Sequence, residues 1–283
     1  MYNKNTEIIK YFLSNETNSD IYQKGTDNSS TLHYAASGCE DVEIMKFLVE
    51  EKKMKLNHLN NYGETVLHAA AQANDNLDVI KYLLEKKCNH LATTEHGETC
   101  FQMVCYNNKY QVIKYFVENN LCDVNQTNLY GEISLHFLCK KNVFIENLIF
   151  LLENGANPNH QCNDYSESPF HCLFDQLKNK TVVEIKRFLI VAFSFKYNFS
   201  LLNRDSQTIG DILIKKGDNF KIAYENFIQG KHFHLTEDYF FFSSNFKSVV
   251  RTLLCFFKAK FNSMVVKIPK VLIHMIIIKA FLT

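Results

Sequence analysis

One six-residue motif returns at a nearly constant interval along this chain of 283 residues. Residues 63–68 read Gly-Glu-Thr-Val-Leu-His, and related segments occupy 97–102, 131–136, 166–171 and 28–33. Successive motifs start 34 residues apart in the centre and 35 residues apart at the two ends. A period of this size predicts stacked supersecondary units rather than one globular core, because each unit buries its apolar face against its neighbours.

Each motif begins the same local pattern. A Gly or Asn at its first position suits a turn with positive φ, and the Thr or Ser two residues later can cap a helix. At 79–84 and 112–117, apolar residues recur at helical spacing and predict a second helix with one face packed inward. Asn-rich segments such as 125–128 close the unit. The sequence therefore predicts an all-α solenoid of helix-turn-helix units with hairpin-like fingers, about five clear repeats and partial units at the ends.

The order Thr-x-Leu-His-x-Ala-Ala, then Val-x-x-Leu-Leu, then Gly-Ala-Asn-Pro-Asn at 155–159 resembles the ankyrin repeat over residues 28–205. The resemblance implies a non-catalytic module that binds a protein partner through its concave face. On this basis we divide the chain into an N-terminal partial or capping repeat at 1–27, a solenoid at 28–230 and an apolar C-terminal tail at 231–283. Within the solenoid, the segments after residue 205 are expected to supply a finger and two helices of a last, capping unit.

Two units depart from the motif. Gln102 replaces the His, and Ile133 replaces the Thr. In the resembling family these two side chains are thought to join adjacent turns by hydrogen bonds. The departures therefore predict weaker junctions around the third and fourth units, by about 1 kcal/mol each, the usual net value of a hydrogen bond.

Composition and motif content argue against catalysis. A net charge of +1 and a pI near 7.6 give no general attraction to nucleic acid, and we expect no nucleic-acid partner. Nine scattered cysteines without a Cys-x-x-Cys pair predict free thiols in a reducing, cytoplasmic location. Phosphate-binding loops and nucleophile motifs are absent from the sequence. We expect no enzyme activity, no cofactor and no metal, and we interpret the regularly placed motif histidines as structural. These are His33, His68, His136 and His171.

The resemblance places the binding surface at the finger tips and on the exposed side of the first helices. The aromatic side chains predicted there are Tyr62, His96, Tyr106, Tyr130 and Tyr165. A row of glutamates recurs beside them, formed by Glu64, Glu98, Glu132 and Glu167. Tyrosine is a favoured interface anchor, and the two rows suit a protein partner of basic or mixed character. The alternative is that both rows are common family residues, since Glu near a helix N-terminus is favoured by the helix dipole in any case.

The tail leaves three alternatives open. A membrane helix needs about 20 mostly apolar residues, and the apolar stretch 264–282 is interrupted by Lys267, Pro269 and Lys270. The tail could form helices that pack on the end of the solenoid, or tether the repeats to a membrane. It could also carry an F-box-like motif around Pro269 that makes the chain a ubiquitin-ligase adaptor. We expect the solenoid itself to be monomeric.

Overall fold

A computed structural model describes residues 20–228, except positions 40, 142, 164 and 179. Within this part the chain forms consecutive units, each with two helices joined by a turn and followed by an extended finger. The first helices are α1 (Thr31–Gly38), α3 (Val66–Ala73), α5 (Cys100–Tyr106), α7 (Ser134–Cys139), α9 (Pro169–Gln176) and α11 (Ile209–Lys215). The second helices are α2 (Val42–Lys46, continued by a π-helical turn at Phe47–Glu51), α4 (Leu77–Glu85), α6 (Tyr110–Glu118), α8 (Ile145–Glu153), α10 (Val182–Ser194) and α12 (Asp218–Ile228).

The predicted caps start the first helices. Thr65, Thr99, Ser168 and Thr208 have extended backbone, and each hydroxyl accepts the backbone N–H of the residue three positions later. The side chain of that later residue returns a bond to the backbone N–H of the cap. This reciprocal capping box satisfies two of the donors that a helix N-terminus leaves unpaired. The Thr or Ser of the motif is therefore a helix start signal.

The Gly of the motif allows adjacent fingers to approach closely. Gly63, Gly97 and Gly131 have φ values of 73°, 74° and 74°, which L side chains adopt at a cost. A Cβ atom on Gly63 would lie 2.8 Å from the backbone nitrogen of Glu95 in the next finger. That nitrogen donates to the carbonyl of Tyr62 at 3.0 Å, so the glycine leaves room for the backbone bond between fingers.

One apolar core runs through all the units from Ile21 to Ala223. The first helices pack against one another in sequence order. Five second helices pack against the first helix of their own unit, whereas α10 packs against α12. Phe101, Phe116 and Phe170 are among the largest fully buried side chains. Burial of one such ring contributes about 1.5–3 kcal/mol, and the energy is spread along the solenoid because each unit contacts only its neighbours.

The motif histidines link each unit to the next. Nε2 of His33, His68, His136 and His171 donates to a backbone carbonyl of the following finger at distances of 3.2, 3.3, 3.0 and 3.2 Å. Nδ1 of each ring accepts the backbone N–H of its own helix cap. The two bonds require a neutral ring with its proton on Nε2.

The expected weak junction at Gln102 rests on a wrong premise. The Gln102 side-chain oxygen accepts the Thr99 backbone N–H at 2.8 Å, as a histidine Nδ1 would. Its amide nitrogen donates to the Glu132 carbonyl at 3.0 Å and also to the Gln126 carbonyl at 2.9 Å. Gln102 therefore performs both functions of the histidine, because its amide carries an acceptor and a donor at similar reach.

At Ile133 the premise is correct for the hydroxyl of the cap. The backbone N–H of Ile133 still donates to His136 Nδ1 at 3.2 Å, so only the hydroxyl contact is missing. The hydroxyl has moved one residue, to Ser134, whose buried Oγ is the one buried side-chain polar atom without a partner in the described part of the chain. The fourth unit thus contains an unpaired hydroxyl beside a cap that lacks one.

Side chains from one unit also satisfy the helix C-terminus of the unit before. Asn74 Nδ2 donates to the carbonyls of Ala36 and Cys39, both at 2.8 Å. Lys109 Nζ, a largely buried cation, donates to the carbonyls of Ala71 and Asn74 at 3.2 and 2.5 Å. These bonds satisfy carbonyls that have no partner within their own helix.

The finger and two helices expected after residue 205 are present. Asp211 occupies the motif histidine position there and closes a capping box with Thr208. Over residues 20–228, helices are too short or too polar to cross a bilayer. The tail at 231–283 and most of the segment 1–27 lie outside the described residues, and the proposed division of the chain stays a prediction.

Candidate functional site

The tip row consists of Tyr62, His96, Tyr130 and Tyr165, which occupy equivalent positions on four successive fingers. Tyr62 and Tyr165 are each 58% exposed, and Tyr130 is 41% exposed. The backbone carbonyl of each accepts an N–H from the following finger at 2.7–3.0 Å. Tyr130 Oη also lies 3.0 Å from His96 Nδ1. The tip row therefore presents exposed rings on a backbone that is hydrogen-bonded to the next finger at each of the four positions.

The glutamate row lies beside the tips and is half-buried. Glu64 accepts the side-chain amide of Asn60 at 2.7 Å, and Glu132 accepts that of Asn128 at 3.2 Å. In both fingers the oxygen of the same Asn side chain accepts backbone N–H groups of the turn. These two glutamates are thus part of the hydrogen bonding that shapes their own fingers.

Two further contacts involve carboxylates of the glutamate row. Lys140, the residue that follows α7, forms an ion pair with Glu132 at 2.5 Å, and the thiol of Cys172 donates to Glu167 at 3.3 Å. The pair between Glu132 and Lys140 connects the finger of the fourth unit to its first helix. The sequence analysis did not predict this pairing, although the two positions are only eight residues apart.

Glu98 differs from the other members of the row. Its finger has Thr94 where the neighbouring fingers have Asn, and the Thr94 hydroxyl accepts the backbone N–H groups of His96 and Glu98. A threonine has no amide to donate, and the Glu98 carboxylate has no hydrogen bond or ion pair within the described residues. Burial raises the pKa of Glu98; nearby His96 lowers it, and the carboxylate of Glu132 raises it further.

The first helices contribute a second line of groove residues. Tyr106 of α5 is 40% exposed, with Lys141 Nζ 4.9 Å from its ring centroid. Lys141 also donates to Asn107, whose amide in turn donates to the Gln72 carbonyl at 2.7 Å. Asn107 therefore joins two units, while Tyr106 keeps an exposed ring toward the groove.

The histidines of the motif have surroundings unsuited to acid–base chemistry. Burial lowers the pKa of His68 and His136 to about 4, because the protonated ring would lose hydration and would face a donor at Nδ1. No group of three metal-ligating side chains occurs within the described ranges. Three lysines on the second helices, Lys46, Lys81 and Lys114, pair with carboxylates of their own helices at 2.7, 3.5 and 3.7 Å.

Known proteins agree with this architecture. A family model described as "Ankyrin repeats (3 copies)" matches residues 1–94, and one described as "Ankyrin repeats (many copies)" matches 74–117. No curated protein matches the chain. Among solved structures, a chain of "Bd0816 Predatory Endopeptidase from Bdellovibrio bacteriovorus in complex with immunity protein Bd3460" is similar, with a TM-score of 0.57 and 23% identity. That match covers 72% of this chain and 99% of the other, and at this identity it shows the fold alone. The family matches over residues 1–117 and the repeated helix-turn-helix units with fingers show that this chain contains ankyrin repeats.

Proposed function

We propose that this chain is a non-catalytic protein-binding module whose concave surface, made of the tip row and the exposed sides of the first helices, contacts the partner. The observation that carries the proposal is the tip row itself. Tyr62, Tyr130 and Tyr165 are exposed on fingers whose backbones are bonded to one another. A tyrosine fixed in this way loses little entropy on binding and offers both an apolar ring and a hydroxyl.

Two further observations support the proposal. Ankyrin repeats generally bind proteins, and the similar solved structure is itself a complex of two proteins, an endopeptidase and an immunity protein. The ring nitrogens of the motif histidines are hydrogen-bonded between units. The residues that most resemble catalytic groups therefore already have structural roles. Within the described residues, by contrast, the side chains of Tyr62 and Tyr165 make no hydrogen bond.

The test compares three forms of the full chain. In the first variant Tyr62, Tyr130 and Tyr165 are all replaced by Ala, and in a matched control Tyr110, an exposed tyrosine at the start of α6, is replaced by Ala. Proteins captured from an extract of the source cells with the unmodified chain are then purified and titrated against each form by calorimetry. Circular dichroism melts verify that all three forms are folded.

The expected result is a partner that binds the unmodified chain and Tyr110→Ala alike. The triple variant should bind at least about 100-fold more weakly, since hot-spot side chains each cost about 2 kcal/mol or more when truncated. Equal binding by the triple variant would show that the concave face is not the interface. Deleting 231–283 in parallel tests the tail: loss of ligase subunits would support the adaptor, and loss of membrane association would support the tether.

A further inference from the structure

The fourth unit shows which group fits between a finger and its first helix. Lys140 Nζ lies 2.5 Å from a carboxylate oxygen of Glu132 and 5.2 Å from the ring centroid of Phe137. The Asn128 side chain donates to the same carboxylate. This niche therefore holds an ammonium group, and the chain supplies that group itself.

The third unit has the same niche without the cation. Thirty-four residues earlier, Glu98 corresponds to Glu132, Tyr106 to Lys140, and Thr94 to Asn128. The two donors that satisfy Glu132 are thus both replaced, one by a ring and one by a hydroxyl whose oxygen already accepts two backbone N–H groups. In the described residues, no side chain takes their place at the Glu98 carboxylate.

The charged groups around Glu98 do not pair with its carboxylate. Glu64 and Glu132 face it from the two adjacent fingers, and His96 and Lys140 are the cationic or titratable groups nearby. Lys140 is held by Glu132, His96 Nδ1 is bonded to Tyr130 Oη, and Lys141, which lies over the Tyr106 ring, donates to Asn107. The half-buried carboxylate is therefore left among other carboxylates, and the exposed Tyr106 takes the position that Lys140 has in the fourth unit.

We propose that the niche formed by Glu98, Tyr106 and the finger tips beside them receives a lysine or arginine side chain of the protein partner. This inference rests on the proposed function and names the chemistry of the partner: a segment with a basic side chain at the position that meets the third unit. Charge complementarity supports it, because a partner cation would pair the one unsatisfied carboxylate of the row. The Tyr106 ring, whose centroid lies 4.9 Å from Lys141 Nζ, can pack against the apolar stem of the same side chain.

The test uses peptides of known sequence. Peptides displayed from a random library are selected against the full unmodified chain at about 0.15 M salt, where exposed charges are screened beyond roughly 8 Å. Two isosteric variants, Glu98→Gln and Glu118→Gln, are used in parallel. Peptides from the unmodified chain should carry Lys or Arg at one aligned position, and Glu98→Gln should abolish that preference. Glu118→Gln is the matched control and should retain the preference, because this exposed carboxylate lies on the second helix of the same unit and not on the tip row or a first helix.

The affinity of the best synthetic peptide quantifies the effect. Glu98→Gln should weaken it at least about 10-fold, consistent with the strength of hydrogen bonds to charged groups. Glu98→Lys should restore binding of the peptide in which the basic residue is replaced by Glu. Peptides that depend on the tip tyrosines yet tolerate Glu98→Gln would overturn this inference alone. If no selected peptide depends on the tip tyrosines, the proposed function fails, and the inference fails with it.

Discussion

The third and fourth units have the same backbone plan but satisfy their polar groups in opposite ways. In the third unit the junction is fully bonded through Gln102, while the surface carboxylate of Glu98 is left unpaired within the described residues. In the fourth unit the surface carboxylate of Glu132 is paired, while the junction contains the unpaired hydroxyl of Ser134. The comparison teaches that the motif specifies hydrogen-bonding roles, and that different residue types can fill them.

A second lesson concerns the surface. A polar group left unpaired in the interior costs stability, whereas one left unpaired at a groove is available to a partner. Ser134 is of the first kind and Glu98 of the second. We therefore treat the deviation of the fourth unit as a stability defect and that of the third unit as a binding feature.

The largest expected difference lies between the junctions that a histidine forms and the junction that Gln102 forms. Their stability should respond differently to acid. His68 and His136 have pKa values of about 4 in the folded chain, against 6.5 as the ordinary value. The unfolded chain therefore binds more protons than the folded one between these pH values, and stability falls as pH decreases from 6.5 toward 4. Each histidine should cost about 2 kcal/mol between pH 7 and pH 5, measured by urea unfolding.

Gln102 suggests the control for this prediction. The double variant His68→Gln, His136→Gln copies the amide of the third unit and should lose much less stability between pH 7 and pH 5. Hydrogen exchange at pH 5 should likewise protect the junction at Gln102 better than the junction at His136. If the double variant and the unmodified chain lost the same stability between pH 7 and pH 5, the loss would not come from protonation of His68 and His136.

Removing the amide of the third unit should produce the next largest effect. Gln102→Ala leaves the Thr99 N–H and the carbonyls of Gln126 and Glu132 without their partners. We expect a loss of about 2–3 kcal/mol in the free energy of unfolding, measured from urea midpoints at pH 7. Gln102→His should stay within about 1 kcal/mol of the unmodified chain at pH 7, because it restores a donor and an acceptor. If Gln102→Ala also stayed within about 1 kcal/mol of the unmodified chain, the three hydrogen bonds would contribute little to the free energy of unfolding.

The smallest expected effect is a gain in the fourth unit. Ser134→Val removes the unpaired hydroxyl and should stabilise the chain by about 1 kcal/mol, which raises the melting temperature by about 2–4 °C. The matched change is Thr65→Val in the second unit. There the hydroxyl caps α3, so the same kind of substitution should destabilise by about 1 kcal/mol. Effects of the same sign at both positions would refute this account of the fourth unit.

The sequence predicted the repeat architecture well because the signals are local and recur. The turn before each motif needs positive φ, and Gly63, Gly97 and Gly131 have it; the cap needs a hydroxyl, and Thr65 supplies one. The all-α solenoid with fingers is confirmed, and so is the ankyrin resemblance. The tip row and the glutamate row are predicted binding residues, and their role stays a proposal.

The error at Gln102 has a physical reason. A motif comparison records a lost histidine, but the bonds join Gln102 to Glu132, 30 residues away, and their formation depends on where the amide lies in the stacked units. The motif comparison does not reveal the unpaired carboxylate of Glu98 either. In the part of the chain that the structure describes, that carboxylate lacks partners because Thr94 and Tyr106 replace the Asn and the Lys of the fourth unit.

The sequence by itself determined the period, the helices, their caps and the turns, because each depends on residues within a few positions of one another. Only the tertiary structure decided which polar groups are satisfied, because stacking brings residues about one repeat apart within hydrogen-bonding distance. At that level Gln102 makes both hydrogen bonds of a motif histidine, and within residues 20–228 as described neither the Ser134 hydroxyl nor the Glu98 carboxylate has a partner.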